Sequence, residues 1–214
     1  TYVRLTDGMN QKEKEKIFLS GDERYVRKQK EFKKIPGIPL AYWVGKDIIK
    51  NFEKGEILND LLDVKVGIQT GDNERFIRLW YEVDRKKCSF HAEDLKEFLK
   101  SGKKWVPYNK GGQYRKWYGN YDYVVNWENS GNEIKNFRDG SGKQRSIIRN
   151  PEYQFRECIT WGLISAVGFS MRYRNSGGIN DVSGMSAFDN GKIDPRYILG
   201  LMNTPVAEYI FSIL

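Results

Sequence analysis

The chain has 214 residues, a hydrophobic content of 39% and a formal net charge of +8. That length suits one domain, or one with a short appendage, and is enough to bury a real core. No apolar run approaches the ~20 residues of a membrane-spanning helix, and the basic balance favours a polyanionic partner through phosphate contacts and counterion release.

Residues Asn10 to Lys34 read as helical and highly charged, with Asp22 capping a helix that runs to Lys34 and carries Tyr25, Val26, Gln29 and Phe32 near one face. Pro36-Gly37 and Pro39 end it, and Leu40 to Val44 reads as a strand. Lys46 to Lys54 is a short helix stopped by Gly55. Leu61 to Gln69 and Arg75 to Glu82 read as two strands around a Thr70-Gly-Asp-Asn73 turn, since Val64, Val66 and Ile68 alternate and Gly and Asn tolerate positive φ. Ala92 to Lys100 reads as an amphipathic helix with Leu95, Phe98 and Leu99 inward. Trp105 to Tyr108 and Tyr121 to Trp127 read as strands flanking a glycine-rich basic loop. Ser130-Gly-Asn-Glu133 fits a capping box for a helix through Phe137, and Gly140-Ser-Gly142 marks a loop tip. Ile159 to Ser165 and Phe169 to Tyr173 form a strand pair, and Gly177 to Phe188 holds one further strand. Asp194-Pro195 and Thr204-Pro205 pair an N-cap with a first-turn proline, so two helices close the chain. Strands and helices intermix without a βαβ rhythm, which makes the fold α+β. Residues 1–60 read as a helical connector with a first strand, and residues 61–214 as the main domain. The start, Thr1-Tyr-Val-Arg-Leu-Thr6, looks like neither a signal peptide nor a natural start, and the apolar tail Tyr209 to Leu214 stops abruptly, so the chain reads as part of something longer.

Polar and basic side chains crowd the Thr70-Gly-Asp-Asn73 turn: Gln69, Thr70, Asp72, Asn73 and Arg75. Amide and guanidinium groups read base edges because both offer hydrogen bonds in a fixed planar geometry. The segment Ser101 to Gly119 carries Lys103, Lys104, Lys110, Arg115 and Lys116 and no acid, interleaved with Trp105, Tyr108, Tyr114, Trp117 and Tyr118. Cations, aromatics and the flexible pair Gly111-Gly112 suit a nucleic-acid surface. Trp105 is expected inward, with Lys110, Gln113, Arg115 and Lys116 toward DNA. A second basic stretch holds Lys135, Arg138, Lys143, Arg145 and Arg149, suited to phosphate. In a third, Arg172 and Arg174 share one face of a strand, where they either read guanine or lie on an ordinary solvent face.

Two cysteines without CxxC spacing and a single histidine give no zinc pattern and fit reduced thiols. Asn150-Pro-Glu-Tyr153 lacks the second proline of an amino-methyltransferase motif and reads as a loop-to-helix boundary. No glycine-rich cofactor motif follows an acidic strand, and no P-loop is present.

Several landmarks occur in a specific order and spacing. They are Ile35-Pro-Gly-Ile-Pro-Leu-Ala-Tyr-Trp43, the Thr70-Gly-Asp-Asn73 turn, Phe76-Ile-Arg-Leu-Trp80 with Glu82-Val83, Lys104-Trp-Val-Pro-Tyr-Asn-Lys-Gly-Gly112, Arg115-Lys-Trp-Tyr-Gly119, Val125-Asn-Trp-Glu-Asn129 and Ile159-Thr-Trp161. Together they resemble the C-terminal part of the PglX family, adenine-specific DNA methyltransferases of phage-exclusion (BREX) systems. More distantly the chain is similar to recognition domains of fused restriction–modification enzymes and of type I specificity subunits.

The resemblance runs from near the start almost to the end. It implies target recognition rather than methyl transfer, and a curved mixed sheet flanked by helices. The implied partners are double-stranded DNA, a catalytic methyltransferase domain of the same polypeptide and further phage-defence proteins, in the cytoplasm and away from membranes. S-adenosylmethionine would belong to that catalytic domain and not to this chain. The expected DNA contacts are Gln69, Thr70, Asp72, Asn73, Arg75, Lys104, Tyr108, Asn109, Lys110, Gln113, Arg115, Lys116, Arg172 and Arg174. Two alternatives stay open: a fused restriction–modification parent, which an upstream nuclease motif would reveal, and a protein-interaction module, for which aromatic, glycine-rich loops are equally suited.

Overall fold

Capping chemistry and strand pairing account for most of the architecture in the computed structural model, which describes residues 1–214. Mixed open sheets are flanked by helices and no barrel closes, the α+β class expected. Two compact units are present: residues 1–56 with 209–214, and residues 57–208.

In the first unit, β1 (Tyr2–Val3) pairs antiparallel with β2 (Arg24–Tyr25), and α1 (Gln11–Ser20) lies between them in sequence. Asn10 caps α1 by accepting from the Glu13 amide at 3.1 Å, while the Glu13 carboxylate accepts from the Met9 amide at 2.7 Å. The long helix expected through Lys34 does not form. Gly21 ends α1 in a left-handed conformation, Arg24 and Tyr25 are extended, and only Gln29–Lys34 returns as a 3₁₀ segment. α2 (Lys46–Lys54) forms as expected, and Gly55 donates to the Asn51 carbonyl at 2.8 Å. The strand expected over Leu40 to Val44 is a series of turns. The Arg27 guanidinium takes the Tyr42 and Val44 carbonyls at 3.1 and 3.2 Å, acceptors that a neighbouring strand would otherwise use. Ala41 and Val44 are buried with Ile35, Ile49 and Ile213.

In chain order the second unit holds α3 (Leu58–Leu61), β3 (Asp63–Lys65), α4 (Asn73–Phe76), β4 (Ile77–Leu79), α5 (Leu95–Lys100), β5 (Trp105–Asn109), β6 (Trp117–Tyr118), β7 (Tyr123–Asn126), α6 (Glu128–Lys135), β8 (Cys158–Gly162), β9 (Met171–Arg174), β10 (Ile179–Asn180), β11 (Gly184–Phe188), α7 (Pro195–Met202) and the start of α8 (Pro205–Phe211). One sheet has the order β10-β5-β7-β4 and the other β3-β11-β8-β9-β6. Only β10 with β5 and β6 with β9 run parallel, each over two residues. Val106 and Tyr108 of β5 face a core with Phe76, Phe98, Val125, Trp127 and Ile134. A second core joins Ile159, Met171 and Ala187 to Leu62, Ile198 and Leu199.

Several local expectations change in this unit. The strands around the Thr70-Gly-Asp-Asn73 turn are not a hairpin: β3 pairs with β11 and β4 with β7, in different sheets. Asp72 accepts from the Arg75 amide at 3.0 Å and starts α4, so the chain leaves the turn as a helix and not as a returning strand. The six-residue α5 buries Phe98, while Leu95 and Leu99 are exposed. The capping box at Ser130 does not form, because Asn129, Ser130 and Gly131 are left-handed and Glu133 turns to Arg75 and Asn126. Two strands, β10 and β11, occupy the segment where one was expected. The closing helices are capped as their sequences predict, by Asp194 on the Arg196 amide and Thr204 on the Ala207 amide. Asn150-Pro-Glu-Tyr153 is a left-handed asparagine entering a 3₁₀ turn, with the Asn150 amide on the Val66 carbonyl at 2.9 Å.

Candidate nucleic-acid interface

Backbone pairing fixes the turn after β3 against two other segments. Gln69 exchanges both main-chain bonds with Ile147, at 2.9 and 2.8 Å. Ile68 donates to the Asn180 carbonyl at 2.7 Å and accepts from the Val182 amide at 2.9 Å. Gly71 supplies the positive φ of +82 that the turn needs. The Thr70 hydroxyl closes the turn on Asn73 Oδ1 at 2.7 Å. The turn therefore lies beside Asp181–Ser183.

Asp181 is buried and organises that neighbour. Its carboxylate accepts from the Tyr108 hydroxyl, from the Ser183 amide at 2.7 Å and from the Ser183 hydroxyl. Burial, and then the Asp181 charge, push the Tyr108 phenol well above its ordinary pKa, so Tyr108 stays a neutral donor. The Ser183 hydroxyl lies 3.0 Å from the Lys110 carbonyl. A Cβ at Gly111 would stand 2.8 Å from the Ser183 carbonyl. Part of the glycine pair thus permits a close approach of the chain to itself. The outcome is a groove of about 350 Å³ lined by Gln69–Asn73, Lys110 and Asp181–Ser183.

The loop from Lys110 to Asn120 is held from beneath by two arginines. Arg172 donates to the Arg115 carbonyl at 3.3 Å and the Gly111 carbonyl at 3.5 Å, and Arg174 donates to the Asn120 carbonyl at 3.0 Å while lying 4.1 Å from the Tyr121 ring. They are 1% and 3% exposed, and neither makes a salt bridge. Burial lowers the pKa of both, and in Arg172 the charges of Arg174 and Arg115 add to this. Asn120 ties the loop from within, donating to the Gly111 and Gln113 carbonyls at 3.0 and 2.9 Å.

The expected DNA-binding residues therefore separate by position. Gln69, Asn73, Arg75, Gln113 and Arg115 are exposed, and Asp72, Lys104, Lys110 and Lys116 are half-buried. Thr70, Tyr108, Asn109, Arg172 and Arg174, which were also expected to contact DNA, are buried. Each meets polar atoms of its own chain: Asn109, for example, reaches Thr160 at 2.8 Å and Asn180 at 3.1 Å. Arg75 pairs with Glu133 at 2.7 Å, and Lys116 donates to the Asn203 carbonyl at 2.9 Å and sits 3.7 Å from Glu208. Lys104 stands at the far end of β5 from Lys110 and faces Glu128 at 3.6 Å.

Trp105 is only half-buried, and Trp117 is 53% exposed at a left-handed φ of +76, a conformation that a bulky residue rarely adopts. Sequence reasoning missed Asp181–Ser183, whose signal was the Asp-Val-Ser-Gly turn composition after β10. Burial raises the Cys158 thiol to about 11, which leaves it protonated and unreactive at neutral pH.

No family model matches the chain. Over its whole length it is 38% identical to the adenine-specific methyltransferase PglX of Lacticaseibacillus casei (strain Zhang), of which it covers 18%. Over 87% of its length it is 38% identical to the adenine-specific methyltransferase BrxX of Escherichia coli O9:H4 (strain HS), of which it covers 14%. The chain spans less than a fifth of the length of either relative. It is thus similar, over all or most of its length, to one segment of the PglX- and BrxX-type adenine-specific methyltransferases.

Proposed function

We propose that the chain recognises double-stranded DNA at a chosen sequence, as the target-recognition part of an N6-adenine DNA methyltransferase of the BREX type. The observation that carries this reading is convergence. Two segments far apart in sequence, the turn at Gln69–Asn73 and Lys110 at the start of the acid-free basic loop, meet in one groove. Lys110 and Arg115 grip phosphates and set register, while the amides of Gln69, Asn73 and Gln113 read base edges. Thr70, Tyr108, Asn109, Arg172 and Arg174 act on DNA through the loops they hold. Asp72 is committed to capping α4, and Arg75 and Lys116 to ion pairs, so they contribute field and shape.

Methyl transfer belongs to the remainder of the polypeptide, which uses S-adenosylmethionine and marks host DNA so that phage DNA is excluded. The residues here do not fit that cofactor. The parallel strand pairs are two residues long, and no βαβ switch point with a glycine-rich turn is built.

Fluorescence anisotropy with mixed-sequence duplex DNA across a salt series tests the reading. Affinity should fall by orders of magnitude between ~50 and ~200 mM salt as counterions compete. Failure of both this chain and the full-length protein to bind at low salt would sink it. Salt-independent binding to a protein partner would favour an interaction module instead.

A further inference from the structure

The loop between β8 and β9 presents carbon to water. Residues 162–168 bear no charge, and Leu163, Ile164 and Val167 are 60%, 87% and 74% exposed. Apolar side chains exposed together on a soluble chain mark a surface that meets something else. The stem of the loop is fixed to the groove, because the Leu163 amide donates to the Ser183 carbonyl at 3.0 Å and Ser183 lines the groove wall. At the other end, a Cβ on Gly168 would stand 3.8 Å from the Tyr114 ring, which belongs to the basic loop. The loop therefore starts beside a groove-lining residue and ends against the basic loop, and Ile164 lines a separate small cavity with Gly112 and Tyr114 of that loop.

Charge identifies the occupant. The adjoining loop, residues 110–120, contains no acid. Glu208, an acid beside the loop, is 3.5 Å from the Gly168 Cβ position and is already paired with Lys116. A cationic margin next to an uncharged aliphatic tip complements a polymer whose charge runs along its rails and whose interior is apolar. Duplex DNA has that anatomy, and apolar wedges that enter between base steps partly unstack them.

We propose that residues 162–168 form an aliphatic wedge, with Ile164 at its tip, that presses into the base stack of duplex DNA lying in the groove. The proposal rests on the DNA-recognition reading above. Local unstacking lowers the energy needed to bring a nearby base out of the helix, which any enzyme acting on an extruded base must supply.

Ile164→Cys labelled with bimane gives a direct test, because Cys88 and Cys158 are only 2% and 3% exposed and the new thiol takes the label. It is run on this chain and on the full-length protein, with mixed-sequence duplex DNA, and anisotropy reports binding in parallel. The bimane emission should shift to the blue and quench as DNA binds. The triple variant Leu163→Ser, Ile164→Ser, Val167→Ser should weaken binding about tenfold with the salt slope unchanged, since aliphatic packing releases no counterions. Its far-ultraviolet circular dichroism and melting should match the parent, as the loop is exposed. A silent label while anisotropy rises would overturn the wedge and leave DNA recognition standing. A label already blue-shifted in the full-length protein without DNA would also overturn it, by showing the loop covered by protein. Absence of any DNA binding in either form would remove the recognition reading itself, and the wedge with it.

Discussion

Two neighbouring loops near the groove are built in opposite ways. Residues 110–120 are polar and cationic, and buried guanidinium groups pin their carbonyls from below. Residues 162–168 are uncharged and aliphatic, and only their stem is held, by the pairing of Gly162 with Gly184 and the bond from Leu163 to Ser183. The contrast separates two jobs that residue type alone would merge. Arg172 and Arg174 are of the type that reads bases but are used to hold backbone. Leu163, Ile164 and Val167 are of the type that fills cores but stand in solvent. Position, rather than chemistry alone, assigns each to shaping the groove or to meeting the ligand.

The strongest way to break the comparison is to remove the pins. In Arg172→Met with Arg174→Met, the carbonyls of Arg115 and Asn120 lose their arginine donors, the Gly111 carbonyl keeps only Asn120, and Tyr121 loses its cation. Relief of two desolvated charges offsets part of this, since a buried ion replaced by an apolar isostere is often near neutral. Buried carbonyls left without partners cost about 1–3 kcal/mol each, so a net loss of about 2–4 kcal/mol is expected. Urea denaturation reads it as a lower midpoint at constant slope. DNA affinity should fall as well, although neither side chain reaches the groove surface. An unchanged midpoint would mean that the loop keeps its shape without them.

Removing the cations proposed to meet DNA, without touching the loop's shape, is the converse. Lys110→Ala with Arg115→Ala should leave the urea midpoint almost unmoved, within about 0.5 kcal/mol, as expected for surface positions away from caps and core. The logarithmic salt slope should shrink by about 2, one for each phosphate no longer neutralised. A slope identical to the parent would take these cations off the DNA. Gln69→Ala, by contrast, should leave overall affinity in place and relax preference at particular base pairs by about 1–3 kcal/mol, which methylome sequencing of the full-length protein would report.

Much of this frame was legible in the sequence where local chemistry was decisive. The proline-led helices α7 and α8, the strands β5, β7, β8 and β9, and the helix α2 with its glycine stop all follow from caps, alternation and punctuation. Reading failed where a distant partner decided. Leu40 to Val44 has strand composition, but Arg27, well before it in sequence, takes its carbonyls. The turn at Thr70–Asn73 was visible. That its flanking strands join different sheets was not, because β11 and β7 compete for them across the chain. Distant partners decide the site as well. Alternation correctly placed Arg172 and Arg174 on one face, yet could not say that the face lies under the loop 110–120 instead of under solvent.

A finer test compares one glycine from each loop. At Gly111 the backbone is left-handed, with φ +78, and a Cβ would stand 2.8 Å from the Ser183 carbonyl. Both the conformation and the close main-chain approach oppose a side chain, so Gly111→Ala should destabilise by about 1–2 kcal/mol and displace Lys110 from the groove. At Gly162 the same added Cβ meets the Ile164 carbonyl at 3.4 Å and the Gly112 carbonyl at 3.9 Å, with no positive φ to oppose it. Gly162→Ala should then lie within about 0.5 kcal/mol of the parent, or slightly above it through reduced freedom of the unfolded chain. Thermal melts of the two single variants decide the matter. A large loss at Gly162 would show that the aliphatic loop depends on its stem geometry as strictly as the basic loop does, and the contrast between a pinned loop and a tethered one would no longer hold.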